Sequence, residues 1–206
     1  MTFDGWEKFN KIAFWMIKLA YINLLWILFT IIGLVIFGLF PSTVAMFTIV
    51  RKWMNKEYNF KIFPEFWKVY RTDFIKANGL GLLFLTIGYI LYYDFTFLQL
   101  NNGKLFYLIP VLLFILVSYA VTLLFFFPVF VHFDLKFFQY LKQSFLIAIT
   151  SPIETILIAI SIVLLYFAIT FLPGIIPLFS GSVLAMAMTW ISFRAFKKVE
   201  RRKGLN

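Results

Sequence analysis

The stretch PSTVAMFTIVRKWMNKEYNFKIFPEFWKVYRTDFIK, residues 41–76, decides how the rest of the chain is read. It carries Arg51, Lys52, Lys56, Lys61, Lys68, Arg71 and Lys76 against only Glu57, Glu65 and Asp73. Hydrocarbon cannot solvate charge at that density, so the segment stays in water between apolar neighbours. Short loops rich in Lys and Arg are retained on the cytoplasmic side during insertion, which predicts a cytoplasmic segment that orients its neighbours. Within it, Phe63, Phe66, Trp67, Tyr70 and Phe74 recur at helical spacing, with Glu65, Lys68, Thr72 and Lys76 mostly elsewhere. That pattern predicts an amphipathic helix in the headgroup region or against the bundle.

Outward from this segment the chain is apolar. Of 206 residues, 63% are hydrophobic and 14% charged, against about 45–50% and 25% in ordinary soluble domains. The fold class is therefore all-α: a polytopic membrane helix bundle with interfacial amphipathic helices. The net charge of +10 comes from basic residues flanking apolar spans, so membrane lipids rather than nucleic acid are the expected partners. With no Cys and one His, no disulfide framework, thiolate nucleophile or Cys metal site is available. The first apolar run is too long for a signal-peptide core and lacks a small-residue cleavage site.

Five spans are expected, at about 17–40, 75–93, 105–132, 152–172 and 175–193, with amphipathic segments at 42–76 and 134–149. Asp4 and Glu7 have capping-box spacing ahead of the first span, and Asn23 within it faces another helix. Gly79, Gly81 and Gly88 allow close contact in the second span. Asp94, Gln99 and Asn101-Asn102-Gly103-Lys104 read as a polar loop with a turn at Asn102-Gly103. Pro110 and Pro128 interrupt the third span. Ser151, Pro152 and Glu154 form a helix start signal, and Pro173-Gly174 turns the fourth span into the fifth.

Five spans place fifteen Lys and Arg on one side and four on the other, with the N-terminus outside and the C-terminus inside. An alternative divides residues 12–50 into a tight hairpin of two spans. Six spans put the N-terminal lysines inside as well and improve the ratio to eighteen against one, but leave each of the first two spans short. The C-terminus is cytoplasmic in both.

Candidates for function are few. Ionisable groups within membrane segments are costly and mark function by default. Glu154 reads first as a helix-capping residue. His132 and Asp134 read as an interfacial hydrogen-bonding pair, because one His and one carboxylate do not make a metal centre. Asp94 with Tyr92 and Tyr93 reads as an outer-interface belt. No phosphate loop, nucleophile triad or His-x-x-x-His pair is present, so no catalytic, cofactor-binding or metal residue is assigned. Gly181, Ala185, Thr189 and Ser192 fall along one helical stripe that lets a partner helix approach closely. A helix of the same chain is preferred to another subunit as that partner.

The segments Pro41-Ser42-Thr43-Val44-Ala45-Met46-Phe47 with Val50-Arg51-Lys52-Trp53, the helix Phe66-Trp67-Lys68-Val69-Tyr70-Arg71, and Phe130 through Asp134-Leu135 to Ser144 and Pro152 resemble the YesL family, DUF624. The resemblance spans nearly the whole chain. It implies a small integral membrane protein of a Gram-positive bacterium, of the kind commonly encoded beside carbohydrate-uptake ABC transporters and glycan-degrading enzymes, without established catalytic residues. The expectation that follows is an accessory subunit of an ABC transporter permease, contacting it through the stripe and through Arg51, Lys52, Trp67 and Arg71. The alternative is an independent small-solute transporter or channel, suggested by the Pro- and Gly-containing spans.

Overall fold

The computed structural model describes residues 3–100 and 106–202 and is all-helical over them. Eight α-helices follow in order: α1 (Phe3–Ile32), α2 (Ile36–Met54), α3 (Ile62–Thr72), α4 (Phe74–Leu100), α5 (Ile109–His132), α6 (Gln139–Thr150), α7 (Pro152–Phe171) and α8 (Ile176–Arg202). Single 3₁₀ turns precede α5 and α8. Five helices are long and apolar enough to span a membrane: α1, α4, α5, α7 and α8.

The largest departure from expectation lies in the first apolar run. The helix expected over 17–40 stops at Ile32, and α2 starts at Ile36 rather than Ser42, so the two form a tight antiparallel hairpin. The reason is local. Leu34 and Val35 take positive φ of 56° and 66°, a costly conformation for a β-branched residue. Every backbone N–H from Gly33 to Ile36 is nevertheless bonded, to the carbonyls of Phe29, Ile31, Thr30 and Leu34 in turn. A turn with no bare donor can carry an entirely apolar sequence in lipid. Gly33 and Gly38 let the two limbs touch: a Cβ on Gly33 would collide with the Gly38 backbone and lie 2.7 Å from the Tyr70 hydroxyl.

Two polar contacts fasten the limbs, and a third bond inside α2 fixes one of their partners. Trp26 Nε1 donates to Thr43 Oγ1 at 2.9 Å, Thr30 and Ser42 hydroxyls meet at 2.8 Å, and Thr43 also donates to the Leu39 carbonyl. At the far end the Trp15 and Trp53 rings meet edge to face at 5.5 Å, with Tyr58 beside them. Trp15 of α1 thus lies at the same end of the hairpin as Arg51 and Lys52 of α2.

Helix α2 is the centre of the packing. Its first turns meet α4, where Asn78 Nδ2 donates to the Phe37 carbonyl at 2.9 Å and the Phe40 ring covers Gly81. Its middle meets α5 through stacked Phe47 and Phe127, and α8 through Met46 against Gly181. Helix α3 packs back along α2, its Phe66 and Tyr70 buried around Phe29.

Helix α4 runs through to Leu100, so Asp94 and Gln99 are helical rather than loop residues; Asn101 to Lys104 lie outside the described residues. Within this last stretch of α4, Thr96 Oγ1 donates to the Tyr92 carbonyl of the preceding turn. Pro110 sits in the first turn of α5, where its missing N–H costs nothing. Helix α8 extends past Phe193 to Arg202. Helix α1 begins at Phe3, so Asp4 stands within its first turn rather than ahead of it.

Candidate functional site

One end of the bundle gathers the C-terminal ends of α2, α5 and α8 with α3, α6 and the start of α4. Between them lies a cavity of about 280 Å³ with a mixed polar wall, lined by Thr48 and Arg51 from α2, Asp73 and Lys76 at the α3–α4 junction, and His132 and Tyr140 around the α5–α6 turn. Each residue is there for a local reason. Thr48 and Arg51 are one turn apart on the face of α2 that also presents Val44. Asp73 is the single residue between α3 and α4, and Lys76 follows three positions on.

Tyr140 organises the wall. Its hydroxyl accepts from Lys76 Nζ at 2.8 Å and from the Leu135 N–H at 3.1 Å, and donates to the Phe133 carbonyl at 3.3 Å. The Lys76 ammonium lies over the Tyr140 and Phe130 rings, 4.7 and 5.5 Å from their centroids. Asp134 lies 3.9 Å from Lys76, but its side chain is fully exposed, so solvent screens that pair. Burial pushes the Asp73 carboxyl above the ordinary carboxylate range; Lys76 opposes the shift and Asp134 adds to it.

Arg51 has no such compensation. Its Nε is buried without a hydrogen-bond partner, and no carboxylate among the described residues pairs with its guanidinium. His132 stands beside it with a buried, unpartnered Nδ1, its ring packed on Phe193 and Phe196 and its Nε2 3.8 Å from Glu200. Sequence spacing read Arg51 as one of several outward charges. Nothing in a linear pattern says that the last turn of α2 meets α5 there.

The other expected site residues separate. Lys52 pairs with Glu65 at 2.8 Å. Trp67 and Arg71 are exposed on α3. Arg51, Lys52, Trp67 and Arg71 therefore do not share one face. In the α8 stripe, Ala185, Thr189 and Ser192 are fully buried and Gly181 lies against Met46 and Asn23. The structure places that stripe inside the bundle, where it receives α1 and α2 and is closed to a second chain. His132 and Asp134 do not meet, since the imidazole turns toward α8 and Asp134 toward solvent. Among the described residues no group of three potential ligands could hold a metal ion.

Glu154 is not a cap. Ser151 makes no side-chain capping bond, its hydroxyl is unpartnered, and the buried Glu154 carboxylate reaches 3.9 Å from Lys198 of α8 instead. Tertiary contact with a cation outweighed the local box.

Asn23, expected to face another helix, does so with all its hydrogen-bonding capacity. Its Nδ2 donates to the carbonyls of Ile176 and Pro177 at 3.2 and 2.9 Å, and its Oδ1 accepts from the N–H groups of Gly181 and Ser182 at 2.9 and 3.0 Å. Pro177 carries no N–H, and the carboxamide bridges the α8 backbone beside it.

Comparison with known proteins fits this architecture to a family. A family model described as "Protein of unknown function, DUF624" matches residues 19–95. The chain is 36% identical over 198 residues to "Uncharacterized protein YesL" of Bacillus subtilis (strain 168), covering 94% of this chain and 92% of that one. It is 34% identical over 194 residues to "Uncharacterized protein YteU" of the same organism, covering 92% and 86% of the two chains. "Uncharacterized protein YesV", also from that organism, is 31% identical over 185 residues, covering 89% of each. No solved structure matches the chain. Identity at this level along nearly the whole length places the chain in the YesL-type DUF624 family.

Proposed function

We propose that this membrane protein is an accessory subunit that binds the permease of a carbohydrate-uptake ABC transporter, has no catalysis of its own, and turns its basic end to the cytoplasm. The resemblance to the YesL family motivates the partner class. The observation that carries the reading is the way α3 is held. Its inner residues Phe66 and Tyr70 are clamped on Phe29, with ring centroids 5.2 and 5.0 Å apart, and Tyr70 donates to the Phe29 carbonyl. Its outer residues Trp67, Lys68 and Arg71 are exposed. A basic and aromatic ridge on a fixed helix is suited to a protein partner, since Trp and Arg supply most of the energy at interface centres.

The hairpin supports this orientation. With Trp15 beside Trp53, the lysines of α1 join the Arg51 end, which leaves the other end of the bundle without Lys or Arg among the described residues. Such an imbalance favours the cytoplasm for the rich side, and for both termini.

Pull-down in mild detergent tests the reading. Permease subunits are expected with the wild type and lost with the double variant Trp67→Ala, Arg71→Ala, which leaves insertion intact. Recovery of the wild type without any permease, under conditions that keep the transporter assembled, overturns it. An independent small-solute conduit has less support, because Asn23, Ser42, Thr43 and Thr189 all spend their polar groups on the bundle's own helices.

A further inference from the structure

We infer that the cavity between α2, α4, α5 and α6 binds a phosphate group, with Arg51 as its principal ligand and Lys76 as the second cation. This inference does not rest on the accessory-subunit reading, which concerns the outer ridge of α3.

A guanidinium N–H withdrawn from water without a partner is unfavourable. Arg51 is partly withdrawn, and neither Asp73 nor any other described carboxylate pairs with it. An anion entering the cavity supplies the missing charge. The planar fork of Arg matches two oxygens of a phosphate at once. Across the cavity, the Lys76 ammonium is aimed by Tyr140 and walled by the rings of Tyr140 and Phe130, which hold it as a point charge. Thr48 and His132 complete the wall.

The acidic groups facing the cavity do not cancel these cations. Asp134 is fully exposed and screened, and Glu200 stands on the far side of the His132 ring, at Nε2 rather than the orphan Nδ1. Asp73 and Asp134 are the two opposing charges along the wall, and Asp134 is the one open to solvent. Basic pockets between membrane helices take phospholipid headgroups, and a free phosphate presents the same oxygens. An apolar groove on α4 is lined by Phe74, Ile75, Leu82 and Phe138, and Phe74 and Ile75 stand in sequence between Asp73 and Lys76 of the cavity wall, so an acyl chain laid in the groove would start next to these two residues.

Full-length protein purified in phosphate-free detergent provides the test. Its thermal unfolding midpoint is followed at constant ionic strength against inorganic phosphate and, separately, against short-chain phosphatidylglycerol, with diacylglycerol of equal chain length as the phosphate-free control. A saturable rise with inorganic phosphate identifies a free anion as sufficient. A saturable rise with the lipid alone identifies the headgroup. In either case Arg51→Gln should raise the half-saturating concentration at least about tenfold, the loss of one charge-assisted pair. Lys76→Gln should raise it severalfold, and Asp73→Asn should lower it, a gain that a misfolded variant cannot produce. The inference is overturned by no saturable rise with either probe, by an equal rise with diacylglycerol, or by Arg51→Gln and Asp73→Asn proteins that saturate like the wild type.

Discussion

Helices α2 and α5 differ in a way that inverts the soluble-protein rule. Helix α5 is an almost unbroken apolar run, yet Val111, Leu113, Phe114, Ile115, Leu116 and Val117 are exposed and only its C-terminal half enters the core. Helix α2 carries Gly38, Pro41, Ser42, Thr43, Ala45, Arg51 and Lys52, yet most of its length is buried among α1, α3, α4, α5 and α8. In lipid an apolar surface gains nothing by leaving its solvent, so association rests on close packing and internal hydrogen bonds, which small and polar residues provide. Burial here marks where the chain is least like lipid.

The contrast can be tested by mutation. The largest effect is expected at Asn23. Asn23→Leu leaves the N–H groups of Gly181 and Ser182 and two carbonyls without their carboxamide, and should lower unfolding free energy in detergent by about 2–3 kcal/mol. Ala185→Leu comes next. The residue is fully buried where α8 meets its neighbours, so the larger side chain should cost about 1–3 kcal/mol while membrane insertion, followed by fractionation, is unchanged. Smaller, and opposite in sign, is Val35→Gly, which relieves a β-branched residue held at φ 66° and should stabilise by about 0.5–1 kcal/mol. Leu113→Ala, on the lipid-facing part of α5, should change the same denaturation midpoint by less than about 0.5 kcal/mol, since little but lipid is lost. A cost there as large as at Ala185 would break the contrast.

Asp73 adds a pH-dependent difference. Its carboxyl titrates above its unfolded value, chiefly through burial, so the stability it contributes is fully present below about pH 4 and is lost as pH rises through its raised native value. Asp73→Asn should flatten the stability profile across that window, read as the unfolding midpoint against pH.

Much of this was legible in the residues. Long apolar runs gave the helices, the face of Phe66 and Tyr70 gave α3, and Asn23 declared itself as a polar group needing a partner. The hairpin was legible only as the second choice, a tight hairpin within residues 12–50, for a physical reason: turns are recognised by polar and Gly-Pro punctuation, whereas here Gly33 is followed by Leu and Val, and each N–H is already bonded. Glu154 misled because Ser151-Pro152-Ile153-Glu154 fits a capping box until Lys198 is brought within reach by α8. The phosphate cavity needed three helix ends to converge. No spacing within one segment carries that.

The hairpin is the claim on which the rest stands, and the absence of native Cys makes it directly measurable. Single variants Glu7→Cys, Lys56→Cys, Lys197→Cys and Tyr107→Cys are labelled in intact cells with a membrane-impermeant maleimide. The expected result is that the first three react alike and are shielded, while Tyr107→Cys, ahead of α5 at the opposite end, is labelled. Glu7→Cys reacting together with Tyr107→Cys, and apart from Lys56→Cys, would mean that α1 crosses without α2 returning, and would contradict the fold described for the first quarter of the chain.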